Sequence, residues 1–132
     1  MCIRDRRETL RVVQHDMRKH PGLVADGRDM GTKVFPDAEL KIFLTATAEE
    51  RALRRHKQLM EKGSSDSLPD LLTSIRARDE RDRNRTVSPL QAAEHAISID
   101  TTQMSIEAVV AEVLGHARTR RLTGPARERA ED

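Results

Sequence analysis

The chain of 132 residues is long enough for one compact domain with a modest core. Its 24 basic and 22 acidic residues nearly cancel, so the net charge of +2 gives no general reason to expect a nucleic acid or a membrane as partner. Cys2 is the single cysteine, which excludes an internal disulfide framework and a cysteine-based metal site and favours a reducing cytoplasm. No apolar run approaches the roughly 20 residues that span a membrane.

The amino-terminal stretch MCIRDR shows no periodicity, no cap and no turn residue. It resembles a leader that recurs on gene models from fragmentary assemblies, so we expect residues 1–6 to be non-native. Residues 7–19 then predict a helix that HPG ends, with three apolar residues on one face: Leu10, Val13 and Met17. The many charges among the first 20 residues are atypical of a signal peptide, and we expect a cytoplasmic protein.

Two apolar runs in the next part of the chain predict strands. Residues 23–25 form a short run that opens into the loop ADGRDMGT, which indicates a buried strand feeding a loop. Residues 40–46 form a continuous β-favouring run, typical of a parallel strand covered on both faces. Thr47 follows at once and can form a capping box with Glu50, which predicts a helix that continues to Gly63.

The remaining elements follow the flexible break GSSDS. Ser67 is placed to cap a helix over residues 68–85, in whose first turn Pro69 is tolerated. Residues 96–100 predict a last strand, and residues 105–118 a last helix with five apolar residues on its inner face: Ile106, Val109, Val110, Val113 and Leu114. Residues 119–132 have nothing to bury and predict a disordered tail. A strand that leads straight into a capped helix indicates an α/β protein.

The helix over residues 68–85 has an unusual inward face. Its apolar stripe of Leu68, Leu71, Leu72 and Ile75 continues at the same spacing as Arg78, Asp79, Asp82 and Arg85. Unpaired charge on a face that packs inward is expensive, so we expect charged partners opposite it. Arg78, Arg81 and Arg85 could converge on an anion such as phosphate. A structural ion network, or a solvated helix with pairs such as Asp79–Arg83, would produce the same sequence pattern.

Two further segments could carry chemistry. The loop with Asp26, Arg28 and Asp29 follows a predicted strand at its carboxyl end, where open α/β sheets bind ligands, although a tight turn explains it equally well. Two carboxylates on one loop are weak grounds for a magnesium site. The five histidines show no zinc spacing: His15, His20, His56, His95 and His116.

The predicted helix after Thr47 is rich in arginine beside a flexible break. Arg51, Arg54 and Arg55 lie close in sequence to the GSSDS segment. This arrangement indicates either a lid that closes cationic side chains over a nucleotide or an ordinary basic surface helix.

Four segments together, GLVADGRDMGTKVFPDAELKIFLTATAEERA, RARDERDRNR, SPLQAAEHAISIDTT and SIEAVV, resemble bacterial cytidylate kinases of the nucleoside monophosphate kinase group. The resemblance covers about residues 7–118 in matching order, with a lid segment at about 54–67. It implies a P-loop nucleoside monophosphate kinase fold, a parallel sheet with flanking helices, that is truncated at its amino-terminal side. It also implies transfer of the γ-phosphoryl group of ATP, with Mg²⁺, to CMP or dCMP by a protein that is a monomer at full length.

The resemblance assigns roles to single residues. Arg78, Arg81 and Arg85 would act in catalysis at the phosphate groups, and Asp82 would bind the ribose edge. Arg28 would also reach the phosphate, while Asp29 and Arg7 would read cytosine, whose amino group donates to a carboxylate and whose acceptors suit an arginine. The lid residues that approach ATP would be Arg51, Arg54 and Arg55. It implies no metal ligand among these residues.

The sequence departs from the family in several ways. It contains no glycine-rich loop ending in Gly-Lys-Gly-Thr, so we expect ATP and Mg²⁺ to be bound largely by a missing amino-terminal part. Its first serine is Ser64, so the serines that help to bind CMP in the early part of the family are missing as well. The lid segment GSSDSLPD also differs from the usual family pattern. We expect the 132 residues alone to be marginally folded and to lack kinase activity, because the loss opens the middle of the sheet.

Two alternatives to a kinase stay open. The chain could be a CMP-binding remnant without catalysis, or a basic helical module that binds RNA. The near-neutral charge and the absence of Trp and Tyr weigh against RNA, since sequence-tolerant binding of single strands uses aromatic stacking.

Overall fold

The computed structural model of the chain describes residues 3–86 and 89–122, with side chains from residue 6 onward. Helices and strands follow in the order α1 (Ile3–Asp16), β1 (Ile42–Thr45), α2 (Ala48–Glu61), α3 (Leu68–Arg83), β2 (Ile97–Asp100) and α4 (Ile106–Thr119), with one π-helical turn (Met30–Val34) between α1 and β1. Of the expected leader and tail, Met1, Cys2 and residues 123–132 lie outside the described part, whereas residues 3–6 belong to α1 and Thr119 is the last residue of α4. That residues 1–6 are non-native stays a prediction.

The sheet is parallel, as the sequence predicts. β1 and β2 pair in register from Ile42 opposite Ile97 to Thr45 opposite Asp100. The connection between them contains α2 and α3, which supplies the crossover that parallel neighbours need. Ile99 on β2 is buried, and the α/β class with flanking helices is confirmed.

The two predicted helix caps are confirmed, and the structure adds a third. The hydroxyl of Thr47 accepts from the backbone N–H of Glu50, and Ser67 caps α3 through the N–H of Asp70. Ser105 caps α4 in the same way. Gly63 lies in the left-handed region at φ 78° just after α2, a conformation that glycine adopts without a Cβ penalty.

The contact between α2 and α3 is a main packing interface of the fold. Ala52 of α2 is 1% exposed, and its small side chain lets the two helices approach closely. On α3 the half-buried and buried positions follow one stripe: Leu68, Leu71, Leu72, Ile75, Asp79 and Asp82. The prediction that the inward face turns from apolar to ionic is thus confirmed for its two aspartates.

Residues at and just after the end of α1 contact the segment that leads into β1. His15 donates from Nε2 to the carbonyl oxygen of Val34 at 2.6 Å, and its ring stacks on Phe35 with centroids 5.3 Å apart. Arg18 lies over the same ring and forms an ion pair of 2.9 Å with Asp37. Val34 and Phe35 are both buried, so this contact is a small second core beside the sheet.

Two strand predictions need correction. Residues 23–25 form no strand, and Val24 is fully exposed, because the described part of the chain offers this segment no strand to pair with. The second run does form β1, but Leu44 is 54% exposed, so the expected cover on both faces is wrong.

The helix predictions also need correction in three helices. α1 covers Ile3–Asp16 rather than residues 7–19. α3 ends at Arg83 rather than at residue 85. The predicted inner face of α4 is only partly covered: Val109 and Val113 are half-buried, whereas Ile106, Val110 and Leu114 are exposed within the described chain. No helix in the described ranges is both long and apolar enough to cross a membrane.

Candidate functional site

A buried carboxylate lies at the carboxyl-terminal end of α3. The side chain of Asp82 is 4% exposed, and three guanidinium groups surround it. Oδ2 is 2.8 Å from Nε of Arg28 and 4.0 Å from Nε of Arg78, and Oδ1 is 3.1 Å from a terminal nitrogen of Arg85. These ion pairs explain how a charged group can face inward here.

The three arginines come from different segments. Arg28 belongs to the loop before the π-helical turn, Arg78 to α3, and Arg85 to the chain just past the end of α3. Their side chains are 38, 62 and 42% exposed in that order, so part of each guanidinium faces solvent. Because a guanidinium carries five N–H donors, each arginine keeps donors free for an external anion.

A cleft of about 390 Å³ opens beside this cluster. Five residues line it: Ser74, Arg78, Arg81, Asp82 and Arg85. Arg81 is steadied by a bond from its Nε to the carbonyl oxygen of Ala77 at 3.3 Å. Sequence reasoning missed Ser74, although its position one turn before Arg78 on the same face could have indicated it.

The two residues predicted to recognise cytosine, Asp29 and Arg7, have different surroundings. Asp29 is half-buried next to Arg28, and its backbone oxygen accepts from Lys33 and Val34 at 2.9 and 3.1 Å. Its side chain forms no cap to the π-helical turn, which leaves the carboxylate available. Arg7 is exposed on α1, about two helical turns or roughly 12 Å from the His15 contact, and has no contact with the arginine cluster among the described residues.

Two of the three predicted lid arginines are held by other groups. Arg51 donates to both carboxylate oxygens of Asp79, at 2.8 Å from NH1 to Oδ1. This hydrogen bonding, more than the charge itself, lowers the pKa of Asp79 and raises that of Arg51. Arg54 pairs with Glu50 at 2.9 Å and bonds Thr101 at 3.2 Å, whereas Arg55 is exposed and has no ion-pair partner in the described chain.

The described residues provide no metal cage. Within the ranges 3–86 and 89–122, no three His, Cys, Asp or Glu residues lie close enough together to hold a metal ion. The cluster around Asp82 brings three guanidinium groups to one carboxylate, an arrangement suited to phosphate oxygens.

Comparisons with known proteins identify the family of this chain. The sequence model described as cytidylate kinase matches residues 2–119. Curated relatives include the cytidylate kinases of Nitrosomonas europaea, 64% identical over 101 residues, and Aeromonas salmonicida, 60% identical over 111 residues. These matches cover 76 and 84% of this chain but 45 and 48% of the relatives.

A third relative, the cytidylate kinase of Coxiella burnetii, is 51% identical over 123 residues, which are 93% of this chain and 52% of the relative. The chain thus spans about half the length of the curated relatives it matches. With the family model covering most of its residues, the chain belongs to the cytidylate kinase family, to whose carboxyl-terminal part it corresponds.

Proposed function

We propose that this chain supplies the acceptor side of an enzyme that transfers the γ-phosphoryl group of ATP to CMP or dCMP, giving CDP or dCDP. The observation that carries the proposal is the gathering of Arg28, Arg78 and Arg85 around one buried carboxylate beside an open cleft. Planar guanidinium groups bind phosphate oxygens through paired hydrogen bonds. The names of the curated relatives support cytidylate as the acceptor.

At the phosphate end, Arg78, Arg81 and Arg85 would neutralise the charge that develops on the transferred group. Phosphoryl transfer gives a protein little covalent work, so positioning and cationic stabilisation suffice and no side-chain nucleophile is needed. When bound, ATP would supply the phosphoryl group and Mg²⁺ would screen its oxygens. The 132 residues contain no Gly-Lys-Gly-Thr loop, so in this proposal both are held largely by other residues of the enzyme.

At the base end, the free carboxylate of Asp29 would accept from the amino group of cytosine. Arg7 would donate to the acceptors of the same base. Uracil carries a carbonyl where cytosine carries the amine, and an unmatched buried polar group costs about 1–3 kcal/mol. The proposal therefore includes a preference for CMP over UMP. Asp82 would contact the ribose edge, because each of its oxygens keeps a lone pair beyond its one close arginine contact.

Of the three predicted lid arginines, Arg55 is exposed and could contact ATP without first breaking an ion pair within the described chain. Arg51 and Arg54 are bound to carboxylates and to Thr101, so in this proposal they exchange partners when ATP arrives. An open arrangement of this kind is common in enzymes whose lids close over bound nucleotide.

A second candidate is CMP binding without catalysis by these residues alone. It is favoured by one observation: the acceptor-side arginines are present, while the sequence has no Gly-Lys-Gly-Thr loop to cradle the phosphates of ATP. RNA binding by α3 is less well supported, because its aspartates already engage two arginines from other segments.

Calorimetric titration of the chain with CMP, UMP, AMP and a single-stranded RNA tests the proposal. We expect CMP to bind most tightly, and to raise the melting temperature because a ligand that binds only the folded state stabilises it. RNA binding that ignores sequence and falls steeply with salt would contradict the proposal. A kinase assay of the chain joined to the preceding part of the Nitrosomonas europaea relative separates catalysis from binding alone.

A further inference from the structure

The turn that begins after Asp29 has an unusual hydrogen-bond pattern. Asp29 is the N-cap residue of the π-helical turn Met30–Val34. The backbone oxygen of Asp29 accepts from the N–H of Val34 at 3.1 Å, a bond that spans five residues rather than the four of an α-helix. π-Helical turns are rare in proteins, and they occur frequently at functional sites.

Packing must hold this turn in place. The turn has five residues, and helices much shorter than about 12 residues are marginal in water when they stand alone. On one side, Gly31 lies so close to Ala93 that a Cβ added at Gly31 would be 3.2 Å from the Cβ of Ala93. At the end of the turn, Val34 and Phe35 are 4 and 7% exposed.

His15, in the last turn of α1, contacts the end of the π-helical turn from another part of the chain. Its Nε2 donates to the backbone oxygen of Val34 at 2.6 Å, and its ring stacks on Phe35. The N–H of Val34 donates in turn to the backbone oxygen of Asp29. Two hydrogen bonds that share one residue therefore link His15 to Asp29.

The carboxylate of Asp29 depends on this backbone for its direction. It makes no hydrogen bond that caps the π-helical turn. Because the side chain is short, a shift of the turn moves the carboxylate almost as far as it moves the backbone. A displacement of about 1 Å is enough to spoil a hydrogen bond to a ligand that must be met in one geometry.

We propose that His15 is a positioning residue for recognition of the base: its hydrogen bond to Val34 holds the π-helical turn where the carboxylate of Asp29 is directed at the amino group of cytosine. This inference rests on the proposed function, in which Asp29 accepts from that amino group.

Two substitutions separate the hydrogen bond of His15 from its ring stacking. His15→Phe keeps a ring and removes the donor, whereas His15→Gln keeps a donor and removes the ring. We would titrate the 132-residue chain with CMP, UMP and inorganic phosphate, in trimethylamine N-oxide to favour the compact state. We expect His15→Phe to lower the ratio of CMP to UMP affinity at least about threefold, and His15→Gln to keep it within about twofold of wild type.

The affinity ratio distinguishes positioning from a loss of stability. A variant that is merely less folded binds CMP, UMP and phosphate more weakly by one common factor, because only the folded fraction binds. The ratio then stays as in wild type. An unchanged ratio in His15→Phe overturns the proposal. An equal fall of the ratio in His15→Phe and His15→Gln also overturns it, because the ring and not the hydrogen bond would then be responsible.

Amide hydrogen exchange gives a readout that needs no nucleotide. We expect the N–H of Val34 to exchange faster in His15→Phe than in wild type or His15→Gln, because the turn opens locally. The N–H of Thr101, which donates to the backbone oxygen of Thr45 at 2.7 Å, is the reference and should not change. Equal acceleration at both amides, or none at Val34, overturns the proposal.

Failure of the proposed function would look different, because wild type would then bind CMP and UMP equally. Exchange at Val34 would still decide whether His15 holds the turn. Asp16→Asn is the matched control, since Asp16 is the exposed neighbour of His15 at the end of α1. It should leave both the affinity ratio and the exchange of Val34 as in wild type. Changes in Asp16→Asn as large as those in His15→Phe would show that the effect does not belong to His15.

Discussion

Arg51 of α2 binds Asp79 of α3 with both ends of its guanidinium, and the side chain of Asp79 is 13% exposed. The pair lies where the apolar stripe of α3 becomes ionic, one turn after Ile75. Asp82, the next inward charge, forms an ion pair with Arg28, whose Nε is 2.8 Å from Oδ2. Each carboxylate on the inward face of α3 therefore has an arginine from another segment opposite it, which is what makes the stripe compatible with packing.

The Arg51–Asp79 ion pair should make the free energy of unfolding depend on pH in the acid range. The pKa of Asp79 is lowered, chiefly by the hydrogen bonds from Arg51, so the carboxylate stabilises the fold above its unfolded pKa of about 3.9. That contribution is lost as the pH falls through the lower folded value. We expect Asp79→Asn to cost about 1 kcal/mol of unfolding free energy at pH 7 and almost nothing at acid pH, measured by urea titration.

Glu80→Gln is the matched control for this prediction, because Glu80 is the exposed neighbour of Asp79 on α3. It should leave unfolding free energy nearly unchanged at both pH values. A cost for Asp79→Asn that stays constant as the pH falls would mean that packing, and not the ion pair, accounts for it.

The contact of α1 with the segment before β1 should depend on Phe35. Its ring is 7% exposed and carries both the stacked His15 and the guanidinium of Arg18. We expect Phe35→Ala to cost about 3 kcal/mol, the usual cost of removing a buried aromatic ring, measured by urea titration in trimethylamine N-oxide.

Leu44→Ala provides the comparison, because Leu44 is a large apolar residue with 54% of its surface exposed. It should cost well under half as much. Equal costs would show that the two sites are covered to the same extent in solution, contrary to the described burial.

The parts of the fold that depend on neighbouring residues could be predicted from the sequence. Caps such as Thr47 and Ser67 act on N–H groups three residues away, and the stripe of α3 follows from helical spacing alone. The inward charges at Asp79 and Asp82 also indicated partners. Their identity could not be predicted, because Arg28 and Arg51 are distant in sequence and meet α3 only through the tertiary fold.

The failed predictions share one physical cause. A strand at residues 23–25 needs a neighbouring strand for its backbone groups, and the inner face of α4 needs a surface to cover Ile106 and Val110. An apolar pattern indicates that a segment is suited to burial, but the segment becomes buried only where another element packs against it. Within the described chain, residues 23–25 have no strand beside them, and Ile106 and Val110 stay exposed.

Specificity for cytosine should depend on Asp29. We expect Asp29→Asn to reduce the ratio of CMP to UMP affinity towards one, because an amide can serve either base whereas a carboxylate only accepts. Competition titrations of the two nucleotides measure this ratio. Asp26→Asn, an exposed carboxylate on the same loop, should leave the ratio as in wild type. An unchanged preference in Asp29→Asn would exclude the assignment of Asp29 as base reader.

Substitutions of Arg54 and Arg55 should distinguish an arginine that stabilises the fold from one that binds ATP. Arg54 joins Glu50 to Thr101, which is 5% exposed, so Arg54→Ala should lower the melting temperature without any nucleotide present. Arg55 is exposed, and Arg55→Ala should not change that temperature. In the chain joined to the preceding part of the Nitrosomonas europaea relative, we expect Arg55→Ala to raise the KM for ATP. Equal melting temperatures for the two variants would remove the structural role of Arg54.

The 132 residues alone should be only marginally folded. Among the described apolar residues, those that are buried are Val34, Phe35, Ala52 and Ile99, while many large ones, from Leu10 on α1 to Leu114 on α4, are exposed. Burial of apolar side chains is the main force that offsets chain entropy, so a core this small leaves little net stability. We expect a broad thermal transition and no phosphorylation of CMP from ATP and Mg²⁺.

Joining the chain to the preceding part of the Nitrosomonas europaea relative should change both results. The added residues would give the exposed apolar faces of β1 and α4 a surface to pack on, and would bring the glycine-rich loop that this sequence lacks. We expect a cooperative melt and phosphorylation of CMP in preference to UMP. A cooperative melt of the 132 residues alone, together with CMP phosphorylation, would show that the described arginine cluster needs neither that surface nor that loop.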